Sequence, residues 1–383
     1  MLPPSIRRLA LADVDDDALR HLARHGESHL VERKVKPPEP PKFGAAAAAF
    51  ANTLGGWILL GVANNGDAVG WTGPGRADLQ SYLGQLLRKQ VDPVPPYVAE
   101  MRELDGKPVG VMRVFESADT PHVVRGSGAV YVRTPQGKEP TPLDDHRSLL
   151  EFAQRGDMAE QKARARLTTL PAVGYVFGTP DTEFDPPDFH GFHYVARAAP
   201  LTVTPAFRDW PMTKAAADQC GMLADQMLPT VSVPWGREGP RVDPFGRAVA
   251  VMVSQGVGDM RNDEAVVMAD SGGVVGAALR RSVGKTDQVV LPISSMLDEQ
   301  IRPLARVVTD LLVAAEAYGR ALLDFWVITP SEVVADDDQE RRVEFLHAAG
   351  ELSIPADQAE VEALAASWYR ELQRTLGIVR FER

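Results

Sequence analysis

Two carboxylates near the start of the chain, Glu27 and Glu32, followed by Lys34, are the residues whose types and spacing most directly invite chemistry. Paired carboxylates can hold a divalent ion such as magnesium or manganese, the requirement for metal-assisted phosphodiester cleavage. Their separation is odd, so on one regular strand the two side chains face opposite ways. They converge only if Glu27 lies in the bend after Gly26. On spacing alone, a solvated Glu32 paired with a neighbouring base is favoured over a metal site.

Cations gather in two places. Arg33, Lys34, Lys36 and Lys42 flank a proline-rich stretch, and Arg125, Arg133 and Lys138 surround the segment Gly126-Ser127-Gly128. Phosphate contacts need mobile cations and approachable backbone, which glycine permits. A mixed-charge surface would look the same, and the sequence leaves the two readings level.

Other motifs fall short of a site. Ser282 to Thr286 has the Gly-Lys-Thr end of a phosphate-binding loop, but Leu279 stands where its first glycine belongs and a strand-like run follows. His21, His25 and His29 are spaced for one helical face, yet Gly26 interrupts them, so solvated histidines are expected and no metal site is assigned.

Several elements must position these residues. Asp15 to Arg24 reads as a short helix and Ser28 to Val35 as a strand. Pro37 to Pro41 reads as a loop, because four of its five residues lack an amide donor. The alanine-rich stretch Phe43 to Asn52 predicts a helix, ended by Leu54-Gly55-Gly56 before the buried strand Trp57 to Val62. Asn64 to Asp67 reads as a hairpin turn leading back into Ala68 to Trp71. A helix over 76–90, a hairpin of strands over 97–103 and 108–115, a strand over 129–133 and a helix ending at Arg155-Gly156 complete the first unit.

The chain has 383 residues and a net charge of −11, with 41 basic against 52 acidic residues. It is long enough for two or three domains. Residues 1–160 carry 19 basic and 21 acidic residues, and the remainder carries 22 and 31. The first part is therefore nearly balanced, and the acidity that argues against nucleic acid belongs mainly to the second. A boundary near 156–168 predicts domains at 1–157 and 168–383.

The second domain reads as α+β. Strands are expected at 172–178, 191–204, 229–235, 247–255, 264–269, 273–279 and 288–293, with a helix near 213–227. A long helix from Ser295 to Phe325, broken near Pro303, precedes strands at 326–329 and 342–347 and a final helix at 357–375. The single cysteine, Cys220, and the lack of an apolar leader predict the cytoplasm. The apolar stretch 307–329 carries four charges and reads as a buried helix, so no membrane span is expected. Nothing in the sequence decides whether the chain forms a homo-oligomer.

The ordered set Glu27-Ser-His-Leu-Val-Glu32-Arg-Lys34, Ala49-Phe-Ala-Asn-Thr-Leu-Gly-Gly56, Trp57 to Val62, Asn65-Gly66 with Val69-Gly70, and Tyr131-Val-Arg133 resembles the Schlafen AlbA domain family over about residues 20–155. The resemblance implies an α/β nucleic-acid-binding module of the kind found in bacterial transcription regulators and eukaryotic Schlafen proteins. The family has also been labelled an ATP-binding domain. In Schlafen nucleases two glutamates of the first motif and an aspartate at a later strand end cleave RNA. The matching positions here are Glu27, Glu32 and Asn64, and the last is not an acid. Asn64 removes a negative charge from the metal centre, and Arg33 places a cation beside it.

The expected function is therefore nucleic-acid binding, DNA first, in a regulatory or defence-associated protein. Lys34, Lys36, Lys42, Arg125, Arg133 and Lys138 are the candidate phosphate contacts. The alternatives are a magnesium- or manganese-dependent ribonuclease centred on Glu27 and Glu32, and an ATP-binding protein.

Overall fold

A computed structural model describes residues 11, 14–25, 27–36, 39–75, 77–134, 140–168, 191–227, 234–242, 248–256, 262–282, 289–291, 293–328, 333–335 and 345–376. The chain divides into two units: Met1–Gln161 with Tyr318–Arg320, and Lys162–Ala317 with Ala321–Arg383. The first is an α/β unit and the second is α+β.

In the first unit, α1 (Asp16–Arg24) begins where the Asp15 side chain accepts from the Ala18 amide at 2.7 Å, satisfying an orphan donor of the first turn. The strands β1 (Val31–Lys34) and β2 (Gly56–Leu60) are joined through α2 (Pro40–Ala51). A helix α3 (Leu79–Gln90) leads to β3 (Val91–Asp92), and then come β4 (Tyr97–Leu104), β5 (Lys107–Val114), β6 (Val123–Val124), β7 (Ala129–Val132) and β8 (Thr141–Leu143). One sheet has the order β1-β2-β5-β4 with β1 and β2 parallel, and a second has the order β3-β6-β7-β8.

Alternation along β2 sorts the core into two layers. Ile58 and Leu60 pack with Phe43, Phe50 and the alanines of α2 and with α3, whereas Trp57 and Leu59 pack with Leu19 and Leu22 of α1. From Phe43 to Ala51, α2 is buried apart from half-buried Ala45, because alanine lets it approach the sheet closely.

Three local expectations change. Pro40 and Pro41 open α2 instead of lying in a loop, because at the first helical positions the missing N–H has no intrahelical partner to lose. Asn64 to Asp67 forms a turn, but the return past it makes only the single bridge Val62 to Ala68 and no strand. The helix expected to stop at Gly156 is α4 (His146–Thr168) and runs through it. Gly156 is there for space, since a Cβ would run into the Thr120 carbonyl oxygen, and the Thr120 hydroxyl donates to the Phe152 carbonyl at 2.9 Å.

The second unit contains β9 (Gly191–Pro200), α5 (Lys214–Met227), β10 (Pro234–Val242), β11 (Ala248–Gly256), β12 (Asn262–Asp270), β13 (Val274–Ser282), β14 (Val289–Leu291), α6 (Arg302–Ala314), β15 (Gly319–Ile328), β16 (Val333–Ala335), β17 (Phe345–Ile354) and α7 (Gln358–Thr375). Its main sheet has the order β10-β11-β12-β13-β9-β15-β17. Tyr194, Ala196 and Ala198 of β9 and Leu323, Phe325 and Val327 of β15 share one core with α5, α6 and α7. The intervening residues of those strands face the other way.

The helix expected from Ser295 to Phe325 ends at Ala314, and Gly319 to Ile328 is a strand inside the sheet. Positive φ at Glu316 (55°) and Gly319 (85°) breaks the helix, after which Ala321, Leu323, Phe325 and Val327 alternate. The stretch 307–329 is thus a helix end and a strand, not one buried helix. Among the described residues no helix is long and apolar enough to cross a membrane. The strand expected at 172–178 and most of Ser282 to Thr286 lie outside the described residues.

Candidate functional site

β1 is the edge strand of its sheet. The Trp57 and Gly61 amides donate to the Leu30 and Lys34 carbonyls at 2.8 and 2.7 Å, so the backbone groups of the even-numbered residues face β2 and those of Arg33 face outward. Glu27 lies in the bend before the strand, and its carboxylate accepts from that outward Arg33 amide at 3.4 Å. The Arg33 side chain takes the α1 side of the sheet, where it donates to the Ala23 carbonyl at 2.9 Å.

Glu32 and Lys34 take the other side, that of α2. Glu32 is buried, and both its oxygens are engaged: Oε1 by the Lys34 ammonium at 2.7 Å and Oε2 by the Arg133 guanidinium. Arg133, grouped by sequence with the surface cations, is itself buried, and its guanidinium lies over the Phe50 ring at 4.2 Å. Burying a carboxylate costs several kcal/mol unless its charge is matched, and here two cations match it.

Phe50 can occupy this place because residue 56 is glycine, where a Cβ would collide with the ring. Gly55, at φ +68°, turns the chain from α2 into β2. Two residues beyond Phe50, buried Asn52 donates to the His122 and Tyr131 carbonyls, each at 3.0 Å, and accepts from the His122 amide at 2.8 Å. Asn52 thereby fixes the approach to Arg133. Three separated sequence blocks, at 32–34, 50–56 and 131–133, meet in one packed cluster.

His122 is fully enclosed, and a carbonyl can only accept, so Nδ1 carries the proton it donates to the Pro93 carbonyl at 2.7 Å. Burial holds its pKa below the ordinary histidine value, partly offset by that bond and by Asp119 and Asp92.

The remaining cations lie toward the beginning of α2. Lys36 follows β1 and is exposed, and Lys42, in the first turn of α2, is exposed and pairs loosely with Glu39 at 3.2 Å. A Cβ on Gly44 would come within 2.8 Å of the Gln90 Cβ, and the Gln90 carbonyl accepts from the Arg125 amide at 2.8 Å. The beginning of α2, the end of α3 and the turn bearing Arg125 therefore converge on Gln90. Arg125 is half-exposed beside Asp92 at 3.3 Å. Lys89, at the end of α3, adds an exposed cation that sequence reading passed over; a basic residue in a last helical turn was its signal. Lys138 lies outside the described residues.

The donor set does not fit a magnesium or manganese ion at Glu27 and Glu32. The Glu32 oxygens are held by Lys34 and Arg133, Glu27 accepts at the strand edge, and Asn64 is an exposed amide in a turn. Among the described residues no three His, Cys, Asp or Glu side chains form a group suited to a metal. His21 and His25 stack at the end of α1, with ring centroids 6.3 Å apart. Phe50, Asn52 and His122 are the positioning residues that sequence reading missed as such.

Residues 27–142 match the family model described as Schlafen, AlbA_2, inside the stretch that carries the sequence resemblance. Among solved structures, the chain is similar to the N-terminal domain of a RecG-related protein from Nitrosomonas europaea at 24% identity. That match covers 34% of this chain and 91% of the other, with a TM-score of 0.25. No curated protein matches the chain.

Proposed function

Because residues 27–142 carry the Schlafen AlbA_2 match, we propose that the first unit binds nucleic acid, with Lys34, Lys36, Lys42 and Arg125 as phosphate contacts. Lys89 joins them from the structure and Lys138 from the sequence. Arg133 is assigned a positioning role, holding Glu32 and, through it, the base of the Lys34 strand.

One observation carries this reading. The motif blocks meet in a charge-matched, packed cluster, and the exposed cations lie on the segments leaving it. A carboxylate already held by two cations acts as a structural anchor, so the reading favours binding over cleavage. Pro40 and Pro41 remove two amide donors from the beginning of α2, which leaves phosphate recognition there to side chains. DNA is the first ligand of this reading, and a module that binds without cutting suits a regulator of transcription or a defence protein.

The test uses the full chain with fluorescently labelled duplex DNA, single-stranded DNA and structured RNA, read by anisotropy at low salt. Binding to at least one, with the RNA left intact in magnesium, is the expected result. No binding to any of them contradicts the proposal, as does magnesium-dependent RNA cleavage that disappears in Glu32→Gln.

A further inference from the structure

The second unit holds a cavity of about 750 Å³ that belongs to no part of the site above. Its floor comes from alternate residues of three neighbouring strands, Arg197 on β9, Asp324 and Trp326 on β15 and His347 on β17, on the sheet face turned from α5, α6 and α7. Arg164 and Leu167 of α4 form a wall, and the other lining residues are apolar or glycine except Glu351. The volume is that of a small-molecule site, where apolar walls surround a few placed polar groups.

Those polar groups are organised. Arg197 and Asp324 stand directly opposite one another in the β9–β15 register, Asp324 buried and Arg197 largely so. The guanidinium grips the carboxylate with two bonds, Nε to Oδ1 at 2.8 Å and Nη2 to Oδ2. This pairing leaves the guanidinium with further N–H donors and the carboxylate with further lone pairs, side by side. Trp326 lies beside them, with the Arg197 guanidinium 5.5 Å and the His347 ring 4.1 Å from its ring centre. Burial, helped by Arg197 and opposed by Asp324, holds the His347 pKa below the ordinary histidine value. Two arginines and two carboxylates line the cavity, so its charge is balanced. A ligand with a net charge would enter without a partner for it.

We infer that this cavity binds a neutral, planar heterocycle carrying an adjacent N–H and C=O on one edge, the N–H donating to Asp324 and the C=O accepting from Arg197. The flat ring packs against the Trp326–His347 pair and the apolar wall. The inference rests on the second unit alone and stands apart from nucleic-acid binding by the first.

Calorimetric titration of the full chain with guanosine, a neutral nucleoside with such an edge, tests it. Saturable binding is expected, and 1-methylguanosine, whose edge N–H is replaced by a methyl group, should bind at least about tenfold more weakly. Ala349→Trp fills the cavity from an exposed strand position and leaves both members of the ion pair in the sequence, and should weaken guanosine to the same extent while circular dichroism stays native. Asp324→Asn, which replaces an acceptor oxygen by a donor, should also lose binding; should it unfold, Ala349→Trp decides alone. Absence of guanosine binding at millimolar concentration overturns the inference, as does equal binding of 1-methylguanosine or equal binding by folded Ala349→Trp.

Discussion

Arg133 and Glu32, 101 residues apart in the sequence, form a buried ion pair whose guanidinium rests on the Phe50 ring. The pair ties the end of β7 to β1, and removing one partner strands the other. Arg133→Met should destabilise the chain by about 3–5 kcal/mol, because Glu32 stays buried with only the partly exposed Lys34 to match it. The double variant Glu32→Leu with Arg133→Met should recover most of the loss. Urea unfolding of Glu32→Leu, Arg133→Met, the double variant and the parent gives the coupling, and a double variant no better than Arg133→Met would deny the pair its role.

Asn52→Ala removes a side chain whose three hydrogen bonds serve His122 and Tyr131. It leaves buried backbone groups unmet, each costing about 1–3 kcal/mol. A total loss of about 2–4 kcal/mol is expected in the same unfolding experiment. Asn52→Asp should be no better, since it supplies no donor for the two carbonyls.

These two residues also mark how far the sequence could be read. The ordered motif blocks were visible, and so were most strand and helix periods, because alternation and capping are local. What Asn52 and Arg133 touch was not visible, because His122 and Glu32 lie 70 and 101 positions away. Arg133 therefore looked like one more surface cation. The segment 315–325 misled for a different reason. Its apolar residues satisfy a helical period as well as a strand period, and only the positive φ values at Glu316 and Gly319 break the tie.

Gly156→Ala offers a test by sign. In an open helix the change would stabilise by about 1 kcal/mol, since alanine is the better helix former. In α4 the added methyl group meets the Thr120 carbonyl, so a loss of about 1–3 kcal/mol is expected instead. A raised melting temperature would show that this approach is not close.

His122 makes stability depend on pH. Its folded pKa is lowered from the ordinary 6.5, chiefly by burial, so below that pH the unfolded chain takes up a proton that the folded chain refuses. Stability should therefore be full above about pH 7 and fall as pH drops below 6.5 toward the depressed folded value. His122→Asn should flatten this part of the profile, measured as urea midpoints from pH 7.5 to 5. An unchanged slope would place the titrating group elsewhere.

The central claim is that exposed cations on the first unit hold phosphates. Its most direct test is the slope of log affinity against log salt for labelled duplex DNA, comparing the parent chain with Lys36→Ala, Lys42→Ala and Arg125→Ala combined. Each lost phosphate contact lowers the slope by about 0.9, so a reduction of about 2–3 is predicted, with weaker binding at every salt concentration. A triple variant that binds with the parent's affinity and slope would contradict the account.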